Sequence, residues 1–202
     1  MLERRAAMAM LLANRPKNLF LVPGLGSTTW DAAAAGDDDR NFYLWGAMGG
    51  AAMIGLGLAL ARPDLRVAVI TGDGEMLMGL GSLATIGVQR PANLSVVAFD
   101  NGLYGETGMQ ASHTQNGVDL AEVARGCGIE HVLEVTDEAG LRALAKLLAT
   151  SDRTLFARVV ISPDEPPRVL PEKDGVAIKN RVRRAAAQLS GAMAKAAGAS
   201  PR

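Results

Sequence analysis

The chain has 202 residues, 49% hydrophobic and 21% charged, which suits one domain with an ordinary buried core. Its 21 Lys and Arg balance its 21 Asp and Glu, so a chain-wide basic footprint for nucleic acid is excluded. A single cysteine, Cys127, excludes an intrachain disulfide, a four-cysteine zinc site and a self-contained iron–sulfur cluster, and points to a reducing, cytoplasmic setting.

Residues 2–13 repeat small and apolar side chains every three or four positions and predict a helix. Mixed charge at Glu3, Arg4 and Arg5 gives no secretory pattern there. Asn18 to Val22 reads as a strand closed by Pro23-Gly24, and Ser27 to Ala35 as a short helix with Ser27 or Thr28 as its cap. After an acidic loop, Gly36 to Arg40, a strand is expected at Phe42 to Trp45 and a buried helix at Gly46 to Ala61. That helix has 16 uncharged residues, short of the roughly 20 that span a bilayer, so no membrane partner is expected. Arg66 to Thr71 and Leu94 to Phe99 are β-branched runs around a helical stretch, Leu77 to Val88, which is the βαβ unit of a parallel sheet. A helix at Val118 to Cys127, a strand at Glu130 to Val135, an amphipathic helix at Glu138 to Thr150 and a strand at Leu155 to Ile161 complete the alternation. The fold class expected is α/β, a three-layer α/β/α sandwich on a mainly parallel sheet. Four prolines in Ser162 to Pro171 mark an extended connector, and Ile178 to Ala197 reads as a last helix whose arginines form a solvated or partner-contacting face. The domain boundary is therefore set at 1–165 and 166–202.

Glycine is over-represented, 23 residues gathered mainly in three clusters, where backbone must come close to something. One cluster, Gly72-Asp73-Gly74, joins a predicted strand end to a helix start, where ligands of open α/β sheets bind. Alone it is a weak motif that reads more readily as a strand-to-helix turn with Asp73 as the cap. The next strand ends in Asp100-Asn101, with 26 residues between Gly74 and Asn101. Parallel pairing brings both tips to one sheet edge, where a carboxylate and an amide carbonyl, with diphosphate oxygens, suit the hard oxygen shell of Mg²⁺.

The spacing of GDG and Asn, with ITGDGEMLMGLGSLATI, FDNGLYGETGMQASHT and GAMGGAAMIGLGLALARPD, resembles the pyrophosphate-binding (PP) domain of thiamine diphosphate-dependent 2-oxoacid decarboxylases. The DNGLYGETGMQ string is similar to the branch acting on sulfopyruvate and phosphonopyruvate. The resemblance implies the thiamine diphosphate-binding fold, with thiamine diphosphate and Mg²⁺ as cofactors. It implies Asp73, Asn101 and the carbonyl of Leu103 as metal ligands. Gly72, Gly74 and Glu75 would meet the diphosphate through backbone, with Ser27 and Thr28 nearby. The Glu75 side chain must then turn away from the phosphates, because two anions in contact repel. Gly46, Ala47 and Met48 would cradle the aminopyrimidine, Met48 wedging between the two rings.

The same resemblance implies a glutamate from a pyrimidine-binding (PYR) domain. The first recognisable PP element begins before residue 20, so that domain is expected on a separate alpha subunit, in a hetero-oligomer acting on a small 2-oxoacid. In the loop after the metal ligands, Tyr104, Gln110 and His113 are the expected catalytic residues, with Glu106 beside them. His131 and Cys127 are expected to be structural. Competing readings are a subunit of an acetolactate synthase-like carboligase or of a 2-oxoacid oxidoreductase, and a non-catalytic cofactor-binding subunit.

Overall fold

The computed structural model describes residues 1–196. Its strands are β1 (Leu19–Pro23), β2 (Arg66–Gly72), β3 (Leu94–Asp100), the short pair β4 (Leu103–Tyr104) and β5 (Gln110–Ala111), β6 (His131–Val135) and β7 (Leu155–Val160). Its helices are α1 (Arg4–Leu12), α2 (Ser27–Ala34), α3 (Ala51–Ala61), α4 (Asp73–Met78), α5 (Ser82–Gln89), α6 (Leu120–Gly126), α7 (Glu138–Thr150) and α8 (Gly175–Ala196). Five strands form one parallel sheet in the order β1-β2-β3-β7-β6.

The strands are apolar on both faces because helices cover both. Successive residues point to opposite sides. Ala68, Ile70, Val97, Phe99, Ala157 and Val159 join one core with α1 and α7. Val67, Val69, Val96, Ala98 and Phe156 join the other with α3, α5 and α6. That is the expected three-layer sandwich. A third cluster seats Val182 and Ala186 of α8 against Phe20 and Leu65, while Ile178 of the same helix joins the first core. No described helix is long and apolar enough to cross a membrane.

Several expectations are corrected. Phe42 to Trp45 forms no strand; only an isolated bridge joins Asn41 to Leu21. The helix expected from Gly46 starts at Ala51, because Gly46 and Gly49 take positive φ (85° and 91°), which leaves Gly46–Gly50 as a loop. The helix expected over Leu77 to Val88 is two helices broken at Gly79-Leu80-Gly81. A Cβ on Gly79 would stand 2.2 Å from the Gly49 carbonyl oxygen, so the break lets two backbones touch. Neither Ser27 nor Thr28 caps α2: the cap residue is Gly26, and the Thr28 and Thr29 hydroxyls donate back to Gly24 O at 3.0 and 2.7 Å. The last helix runs Gly175–Ala196, and Ala197 lies outside the described residues.

Candidate functional site

All five sheet strands run parallel, so the β1, β2 and β3 tips share one edge. Register pairs Gly72 of β2 with Phe99 of β3, one step before Asp73 and Asp100. A cleft of about 340 Å³ opens there. Its walls include Ser27, Met48, Gly72, Asp73, Gly74, Glu75, Asn101, Leu103 and Tyr104. The two oxygen donors expected from sequence, Asp73 and Asn101, thus border one space.

Asp73 is 2% exposed. Its Oδ2 accepts from Ser112 Oγ at 2.5 Å and Thr114 Oγ1 at 3.2 Å. Burial pushes its pKa above the ordinary aspartate range; the Ser112 bond opposes this, and the charge of Asp100 adds to it. Asp100, also buried, accepts from Thr114 Oγ1 at 2.8 Å and pairs with Arg158 Nε at 2.6 Å. Thr114 Oγ1 thus lies between the two carboxylates, its single proton shared unequally and nearer Asp100. Arg158 pairs with Asp100 and not with Asp73, so the two buried carboxylates keep a negative balance that a divalent cation would offset. Asn101 Oδ1 accepts from Leu103 N at 3.0 Å, which bends the chain after β3 and leaves a second lone pair on that oxygen. No cluster of three or more His, Cys, Asp or Glu is placed for a metal among the described residues, so a cation here needs amide, main-chain and ligand oxygens as well.

The cradle also suits a diphosphate. α4 opens on Gly72, which has no side chain to cap it, and the Asp73 carboxylate reaches back to the Gly74 N–H while the next N–H groups stay free of a cap. A Cβ added at Gly46 meets nothing within 4 Å, and one at Gly72 only Phe99 O at 4.0 Å. The Glu75 side chain turns inward: it is 5% exposed, and its oxygens reach Leu25 N, Thr71 Oγ1 and Gly49 N. Burial raises its pKa against those hydrogen bonds.

Other predicted residues fall outside the cleft wall. Gly46 and Ala47 are exposed beside it, and Thr28 is buried behind it. Gln110 is exposed and bonds Thr107. His113 is exposed but joined to the wall, its Nδ1 lying 2.8 Å from the Tyr104 hydroxyl. Glu106 lines the cleft. Cys127 is half-buried at the end of α6, and His131 lies in β6.

Sequence reasoning missed the far wall. Arg4, Trp30 and the connector residues Asp164 to Arg168 line the cleft. Arg168 lies over the Trp30 ring at 4.3 Å, and Arg5 Nη2 donates to Pro167 O at 2.7 Å. The prolines announced an extended segment, but nothing local in them says where it lies. Ser112 and Thr114 were also missed, although both stand inside the quoted FDNGLYGETGMQASHT string.

The family described as thiamine pyrophosphate enzyme, C-terminal TPP binding domain, matches residues 24–159. Sulfopyruvate decarboxylase subunit beta of Methanocaldococcus jannaschii is 43% identical over 122 residues, 60% of this chain and 64% of that protein. Phosphonopyruvate decarboxylase of Streptomyces viridochromogenes is 43% identical over 153 residues, 75% of this chain and 38% of that protein. The chain thus spans less than two thirds of the length of either relative. Among solved structures, benzoylformate decarboxylase from Polynucleobacter necessarius superposes with a TM-score of 0.66 at 19% identity, over 82% of this chain and 34% of that one, a likeness of fold.

Proposed function

Because this chain belongs to the thiamine pyrophosphate enzymes through their C-terminal TPP-binding domain, we propose that it is the PP-domain subunit of a Mg²⁺-dependent 2-oxoacid decarboxylase of the sulfopyruvate and phosphonopyruvate type. Residues 1–165 form its cofactor-binding domain, and a PYR-domain alpha chain completes the site. The observation that carries this reading is the meeting of Asp73, Asn101, Leu103 and the Gly72–Glu75 turn with Met48 around one cleft. The name of the Methanocaldococcus relative, a subunit beta, supports a second chain.

Asp73, Asn101 Oδ1 and the Leu103 carbonyl would hold Mg²⁺, with diphosphate oxygens filling the octahedron. Backbone N–H groups of Gly74 and Glu75, with Ser27, would receive the diphosphate. Gly46 O and Met48 N–H would take the aminopyrimidine, with Ala47 between them, and the Met48 side chain would keep the cofactor bent. Bound thiamine diphosphate supplies the electron sink that lets a 2-oxoacid lose its carboxylate as carbon dioxide. The protein's task is placement and protons. Tyr104 borders the cleft, and its hydroxyl meets His113 Nδ1. That pair holds a proton at the cleft wall and exchanges it with solvent through the exposed imidazole. Gln110 braces the same loop through Thr107.

The test is co-expression with the candidate alpha chain, followed by a 2-oxoacid screen with Mg²⁺ and thiamine diphosphate. Aldehyde release is expected only from the assembled pair. Release from the pure chain contradicts the shared site, and an assembled pair silent on every 2-oxoacid contradicts the decarboxylase reading.

A further inference from the structure

Two buried carboxylates border the cleft, and the proposed function gives a task to the side chain of only one, Asp73. The other, Glu75, faces neutral donors from three separate segments. Its Oε2 accepts from Thr71 Oγ1 at 2.8 Å, at the end of β2, and from Leu25 N at 3.0 Å, in the β1–α2 loop. Its Oε1 accepts from Gly49 N at 3.3 Å, in the loop before α3. The fit is tight: a Cβ on Gly24 would stand 1.7 Å from Oε2.

These segments are the ones that carry Ser27 and Met48. We infer that the Glu75 carboxylate is a positioning residue, a buried three-way tie that holds the diphosphate loop and the pyrimidine loop at a fixed separation around the cofactor. The inference rests on the functional reading above and deepens it. Both oxygens are engaged by protein donors, so the side chain acts through Leu25 and Gly49 rather than on substrate. Only a carboxylate meets the demand, since every partner donates, the Ala51 N–H beside Gly49 included, and an ionised carboxylate accepts at both oxygens. A glutamine accepts at one oxygen and offers N–H groups at the other position. Its carbonyl would take the side with two donors, Thr71 and Leu25, and its amide would face the Gly49 N–H, donor against donor.

The experiment combines amide hydrogen exchange on the full chain with calorimetric titration of thiamine diphosphate and Mg²⁺ into the assembled complex, for wild type, Glu75→Gln and Glu75→Ala. In Glu75→Gln, exchange is expected to quicken at Gly49 by about tenfold, with Leu25 close to wild type. Cofactor affinity is expected to fall by about tenfold, and further in Glu75→Ala. If Glu75→Ala does not fold, Glu75→Gln carries the test alone. Equal loss of protection at Leu25, Gly49 and the core strands would mark a general packing role and overturn the inference. Cofactor uptake by the wild type with unchanged affinity in Glu75→Gln would overturn it too, while leaving the functional reading intact. A wild-type complex that takes up no cofactor would overturn the functional reading, and this inference with it.

Discussion

Asp73 shows how one residue is set against stability for a task. It is buried beside Asp100, and Arg158 contacts only the latter. Without a cation, an ionised Asp73 costs free energy in the fold. Asp73→Asn keeps the shape and removes the charge, so the metal-free variant should be more stable than wild type at neutral pH, by about 1 kcal/mol. Urea unfolding with a chelator checks this; equal or lower stability would mean that the carboxylate is already compensated. Asp38 shows the opposite case. The Arg40 guanidinium grips it at 2.6 and 2.8 Å and holds its pKa at about 2. A depressed carboxylate adds stability above its ordinary pKa and loses it as pH falls toward the folded value. Arg40→Met should therefore be less stable than wild type at pH 7 by less than about 1 kcal/mol, because the pair is partly exposed. The gap should narrow as pH drops from the ordinary aspartate range toward 2, followed by denaturant unfolding at stepped pH.

At the scale of elements, the break between α4 and α5 ties fold to site. Gly79 lies against the Gly49 carbonyl, and Gly49 follows Met48. Gly79→Ala would push a methyl into backbone, which has no rotamer to yield, so the loop must move. The expected result is a sheet that still melts cooperatively with cofactor affinity lowered by about tenfold or more. Melting and titration on the same sample check it. The same element explains what the sequence disclosed. The tips at Asp73 and Asn101 were readable because a β-branched run, a glycine turn and a helix start are local signals. The helix break was not, since its cause stands thirty residues away at Gly49. Nor was the α3 start, where the apolar run continues unbroken through Gly46 and Gly49, whose positive φ is invisible to composition. Phe42 to Trp45 reads as a strand because it is an apolar, aromatic run, yet Tyr43 and Leu44 fill the cores and Phe42 and Trp45 pack against them without a ladder.

Seen whole, the molecule completes one side of its cleft with the connector. The connector crosses the wall beside Trp30, with Arg168 on its ring and Trp45 Nε1 bonded to Glu172 O. Met53 and Leu60 share an exposed face of α3, and Met78, also exposed, lies against Gly49 beside Met48 of the cleft wall. An apolar face beside a cofactor cleft fits the proposed partner subunit. The sheet-edge pair at the centre of this cleft is tested most directly by titrating thiamine diphosphate into the assembled complex with and without Mg²⁺, for wild type and Asp73→Ala. Wild type should bind only with Mg²⁺, and Asp73→Ala should lose that binding while melting as a folded protein. Unchanged affinity in Asp73→Ala would contradict a metal held between the β2 and β3 tips.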